Sequence, residues 1–130
     1  MTAFCFIDKV AEVKKRESLT ALYTLKGAEE FLQDHFEGFP VMPGVLLLES
    51  LKQAASRLMG LSGESKPPFF RLARAEEVKF GQFVRPGNLL KIFVRQLKEE
   101  GCFVFFEGRI DQENGRKVLT AKLVLEPVGN

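Results

Sequence analysis

The stretch VLLLESLKQAASRLM, residues 45–59, decides the fold. Leu47, Leu48, Leu51, Ala54, Ala55 and Leu58 recur at helical spacing, and Val45 and Leu46 make the first half apolar nearly all round. A helix of that kind is buried rather than laid on a surface. Pro43-Gly44 precedes it, and Gly60 follows as a residue suited to ending a helix. The spacing predicts one helix over 45–59.

Around this helix the chain reads as strands. AFCFIDKVAEV and SLTALYTL flank the charged turn of Lys14, Lys15 and Arg16. GAEEFLQDHF is a helical turn or loop, and GLSGESKPP is a polar loop. FFRLARAEEVKF and NLLKIFVRQLK follow as strands. CFVFFEGRID and RKVLTAKLVLE form a hairpin through QENG, whose Asn-Gly suits a tight turn. Cys102, Val104, Phe106 and Ile110 alternate with outward Glu107, Arg109 and Asp111. Leu119, Ala121, Leu123 and Leu125 alternate likewise, and Cys5 and Cys102 are expected in the core. A sheet with one apolar face needs cover, and one helix is on offer. The expected class is α+β, an antiparallel sheet wrapped around a central helix, as one domain over residues 1–130. A helix apolar on more than one side also favours a dimer.

Composition narrows the function. With 45% hydrophobic and 28% charged residues, the chain has globular balance, and a formal charge of +2 argues against a nucleic-acid partner. No apolar run is long enough to span a bilayer. One His and two distant Cys make a poor metal set, so no metal is expected. Two isolated cysteines without a secretory segment point to the cytoplasm.

The chemistry gathers just before and inside the helix, in DHFEGFPVMPGVLLLES, residues 34–50. A helix N-terminus presents unpaired N–H groups and partial positive charge, and Gly44 lets a ligand approach closely. That suits an oxygen that becomes negative during a reaction. Glu49 lies roughly 7–8 Å further along the axis. Burial among leucines would disfavour its charged form and suit it to general-acid work. Gln53, one turn on, can orient it. His35, the only histidine, is the candidate base. Base, acid and oxyanion site together suit removal of a proton beside a carbonyl with loss of a β-leaving group. A structural histidine, an exposed glutamate paired to Lys52 and a merely turn-shaping Pro-Gly are the plainer alternatives. Arg71, Arg74, Lys79 and Arg85 read as outward strand and loop charges.

HFEGFPVMPGVLLLESLKQA resembles the β-hydroxyacyl-acyl-carrier-protein dehydratases of the hotdog fold, which show His-Phe-Pro-Gly-x-Pro-x-x-Pro-Gly-Val-Leu, then Glu, Ala and Gln. The separation of fourteen residues from His35 to Glu49 is the family's. FCFIDKV and VKFGQFVRPGNLL resemble two further family segments, so the likeness covers nearly the whole chain. It implies a hotdog fold and a homodimer, often assembled into a trimer of dimers, with each site shared between subunits. It implies that His35 takes the α-proton of a (3R)-hydroxyacyl thioester and that Glu49 of the partner chain protonates or orients the departing hydroxyl. Gly44 N–H would hold the thioester carbonyl, the Val41 carbonyl would fix the imidazole tautomer, and Gln53 would orient Glu49. No cofactor is implied. The partner is an acyl carrier protein, with Arg85 assigned to meet its acidic surface. Asp34, Glu37, Ser50 and Lys52 depart from the family pattern. They bear on the housekeeping assignment and leave room for a specialised lipid or polyketide pathway. Glu at position 49 resembles the dehydratase-only branch. A hotdog acyl thioesterase and a non-catalytic acyl-binding protein stand as alternatives.

Overall fold

A computed structural model of the chain describes residues 5–26, 42, 44–61 and 70–127. Among these residues six strands form one antiparallel sheet: β1 (Lys9–Lys14), β2 (Ser18–Thr24), β3 (Phe70–Phe80), β4 (Leu89–Glu100), β5 (Phe103–Gln112) and β6 (Lys117–Pro127). Their order across the sheet is β1-β2-β4-β5-β6-β3, so β1 and β3 are its edges among the described residues. The described helix, α1 (Gly44–Leu61), packs on the sheet and touches β2, β3, β4, β5 and β6. This is the hotdog arrangement that the apolar helix and the alternating strands predict.

The core follows from the two periodicities. Leu47, Leu51, Ala54, Ala55 and Leu58 of α1 are buried against Ile92, Val94, Phe106, Ile110 and Leu123 of the sheet. Glu107 and Arg109 alternate with buried residues of β5 and therefore face away from the helix. The helix lies close to β5 because residue 108 is glycine. A Cβ there would fall 2.9 Å from Cδ2 of Leu51.

Several expectations are adjusted. Helix α1 keeps helical backbone through Gly60 and ends at Leu61, so that glycine sits inside the last turn. The first strand begins at Lys9 rather than at residue 3. Residues 5–8 run outside the sheet, yet Phe6 and Ile7 are buried in the same core. Alternation marks which residues are buried and not whether a second strand accepts their hydrogen bonds. Cys5 and Cys102 are exposed rather than core residues, and Cys102 lies in the turn between β4 and β5. The β5–β6 connection turns through Gly115 at φ 88°, a conformation open to glycine. The segment GAEEFLQDHF and the loop GLSGESKPP lie almost wholly outside the described residues.

Candidate active site

Three elements converge at the start of α1. Met42, buried just before the helix, donates its N–H to the carbonyl of Val84 at 2.9 Å. That bond ties the chain approaching α1 to the β3–β4 loop. Gly44 is the first helical residue, so its N–H is among those the helix leaves without an internal partner. The ring of Phe80, the last residue of β3, lies close to it. A Cβ on Gly44 would fall 2.8 Å from Cε1 of that ring. A side chain at this position would have to push the ring aside. Gly81 holds the end of β3 in place, its N–H donating to the Val118 carbonyl at 2.7 Å.

Glu49 is about one and a half helical turns along. Its Oε2 accepts from Gln53 Nε2 at 3.0 Å and from Lys52 Nζ at 3.4 Å. The expected contact between Glu49 and Gln53 is thus present. The expected burial is not: the Glu49 side chain is 36% exposed and ion-paired to Lys52. The physical reason is its angular position. Leu47, Leu51 and Leu58 take the sheet-facing stripe of the helix, and position 49 falls on the face opposite to it. Gln53 reaches in two directions, since its Oε1 also accepts the backbone N–H of Phe6 at 2.7 Å.

His35 and Val41 lie outside the described residues. The structure therefore brings Gly44, Glu49 and Gln53 onto one helix without describing the proposed base. Arg85 is exposed and follows directly on Val84, the residue bonded to Met42. Its N–H donates to Asn88 Oδ1 at 2.8 Å in the turn that contains Gly87. This places it on the rim of the helix-start region. Arg71 and Arg74 point outward and pair with Glu126 and Glu76.

Two features escaped the sequence. Neither the Phe6 N–H on Gln53 nor the Phe80 ring on Gly44 has a local signal, because the partners are 47 and 36 residues apart. A separate groove of about 340 Å³ crosses the outer face of the sheet, lined by Glu77, Lys79, Phe93, Glu107, Arg109 and Lys122 among others. No predicted site residue lines it. Among the described residues, no helix is long and apolar enough to cross a membrane.

Comparison with known proteins supplies context for this geometry. The family pattern described as ApeI-like, ApeI dehydratase, matches residues 11–120. The chain is 43% identical over 94 residues to the 3-hydroxyacyl-[acyl-carrier-protein] dehydratase FabZ of Levilactobacillus brevis, covering 72% of this chain and 64% of that protein. It is 39% identical over 107 residues to the enzyme of the same name from Rhizorhabdus wittichii, covering 79% and 67%. The chain thus spans 64% of the length of the first of these relatives, a little under two thirds. Among solved structures, the dehydratase heterocomplex ApeI:P from Xenorhabdus doucetiae superposes with a TM-score of 0.81 at 19% identity, covering 96% of this chain and 84% of that one. A hypothetical thioesterase with coenzyme A from Streptococcus pneumoniae superposes with a TM-score of 0.69 at 11% identity, covering 94% and 86%. At such identities these two structures speak to the fold.

Proposed function

We propose a reaction for this chain, which belongs to the ApeI-like dehydratase family: it removes water from (3R)-hydroxyacyl thioesters of an acyl carrier protein and leaves trans-2-enoyl thioesters. The observation that carries the reading is the placement of Gly44, Glu49 and Gln53 on α1, with Gln53 bonded to Glu49. The names of the FabZ relatives supply the substrate class.

In this reading His35 takes the α-proton of the bound thioester. Negative charge moves onto the thioester carbonyl, which the Gly44 N–H stabilises at the positive end of the helix. The C3–O bond breaks, and the hydroxyl leaves as water with the proton of Glu49. The electron pair of the lost α-proton becomes the new C2–C3 double bond. The Val41 carbonyl holds the imidazole tautomer, Gln53 orients Glu49, and Arg85 meets the acidic carrier. No cofactor takes part.

The chain works as a homodimer in the cytoplasm, with His35 of one site facing Glu49 of the partner subunit. Among the described residues strand β3 forms an edge of the sheet, and Val45, Phe80 and Phe83 are exposed apolar residues. An unpaired edge beside apolar surface is suited to a second copy. That copy would also cover Glu49, which one chain leaves partly open. A trimer of such dimers is the higher assembly.

The test is turnover of 3-hydroxyacyl carrier thioesters, with the conjugated enoyl product followed by mass spectrometry. His35→Ala and Glu49→Gln should each lower turnover by at least ~100-fold. Unchanged rates would move the chemistry elsewhere. Release of free carrier thiol would identify a thioesterase, and binding without any product a non-catalytic acyl-binding protein.

A further inference from the structure

The two oxygens of Glu49 are not equivalent. Both of its hydrogen bonds, from Gln53 Nε2 and from Lys52 Nζ, fall on Oε2. Among the described residues Oε1 accepts none. An oxygen engaged by two donors is a poor place for a proton, so a protonated Glu49 carries its proton on Oε1. The arrangement depends on Gln53 presenting its NH₂ end to the carboxylate. A free amide could turn over and present its oxygen instead.

What prevents the turn lies outside the helix. Gln53 Oε1 accepts the Phe6 backbone N–H at 2.7 Å, and an amide NH₂ in that position would set donor against donor. Phe6 is itself held by the sheet. Its side chain is 1% exposed and stands edge-on to Tyr23 of β2, with ring centroids 5.5 Å apart. Two residues on, the Asp8 N–H donates to the Leu22 carbonyl at 2.8 Å, and Asp8 Oδ2 accepts the Thr24 N–H at 2.9 Å. Strand β2 therefore fixes the Phe6 N–H, which fixes Gln53, which fixes Glu49.

We propose that the backbone N–H of Phe6 is a positioning group for the elimination: it locks the Gln53 amide so that Oε1 of Glu49 is the oxygen that delivers the proton to the departing hydroxyl. This rests on the dehydratase reading given above. The N-terminal segment is then part of the catalytic support and not only a cover for the core.

The test replaces Phe6 by phenyllactate, which turns the N–H into an ester oxygen and keeps the ring. The kcat for enoyl formation should fall about 5–10-fold, the scale of one hydrogen bond, with KM unchanged. Gln53→Glu, which still accepts from Phe6 but offers Glu49 no donor, should lose at least as much. Wild-type kcat in either chain overturns the proposal. Amide exchange supplies a readout independent of ester folding: the Phe6 N–H should exchange slowly in the wild type and faster in Gln53→Leu. Equal rates in the two would sink the coupling. Should His35→Ala and Glu49→Gln both retain activity, it is the dehydratase site that fails, whatever the Phe6 results.

Discussion

At Gly44 two separate demands meet. The proposed reaction calls for an accessible N–H, and the Phe80 ring occupies the place where a Cβ would go. The two demands can be separated. Gly44→Ala should destabilise the fold by about 1–3 kcal/mol through overpacking. Adding Phe80→Ala should relieve that part, so a double-mutant cycle in urea unfolding should show coupling between the two positions. Independent, additive losses would mean that the ring has room to move aside. At Glu49 the helical period foretold the contact with Gln53 and misjudged the exposure. Four residues apart on a helix is a local relation, whereas burial depends on which neighbour covers that side. The pairing of Lys52 with Glu49, which belonged to the plainer alternative, is present as an i, i+3 contact on a half-open surface. Such a pair adds a fraction of a kcal/mol, so Lys52→Gln should leave the urea midpoint almost unmoved. A large drop would show that the ion pair is buried in the working protein.

At the scale of elements, neighbouring segments meet at close quarters where glycine permits. Two glycines do this against different obstacles. A Cβ on Gly81 would lie 2.2 Å from the Lys117 carbonyl oxygen, which is backbone and part of β6. A Cβ on Gly108 would meet only the methyl end of Leu51, at 2.9 Å. A side chain can shift its rotamer, while a paired strand cannot yield without losing hydrogen bonds. Gly81→Ala should therefore cost more than Gly108→Ala, at about 2–4 against about 1–2 kcal/mol. Chemical denaturation of both variants checks the order, and the reverse order would place the tight contact at the helix. Gly81→Ala should also impair turnover, because it displaces the end of β3 that carries Phe80 to Gly44. Sequence alone showed that these strands exist, since alternation is local. It said nothing of Gly81 against Lys117, which are brought together by β3 crossing to the far side of β6.

For the whole molecule, the proposed sharing of a site between subunits makes a prediction that a single-chain site does not. His35→Ala and Glu49→Gln homodimers should each be nearly inactive. Mixed and allowed to exchange, half of the dimers become mixed ones, and each of those holds one intact site of two. Activity should return to about a quarter of wild type. No recovery, with subunit exchange shown by mass spectrometry, would place base and acid in the same chain.

What the sequence determined by itself were the elements and the spacing of the residues they carry. The 3.6-residue period of 45–59 made a buried helix, the alternation of 102–111 and 116–126 made half-buried strands, and the helix carried Gly44, Glu49 and Gln53 at fixed intervals. These are relations between near neighbours, set by backbone geometry. Only the tertiary structure decided that β2 reaches Glu49 through Phe6 and Gln53, that Phe80 closes over Gly44, and that Glu49 leans toward Lys52 at the edge of the core. Those contacts join residues tens of positions apart or depend on what covers a helix flank. They arise from how a whole helix settles into a curved sheet, which no local pattern records.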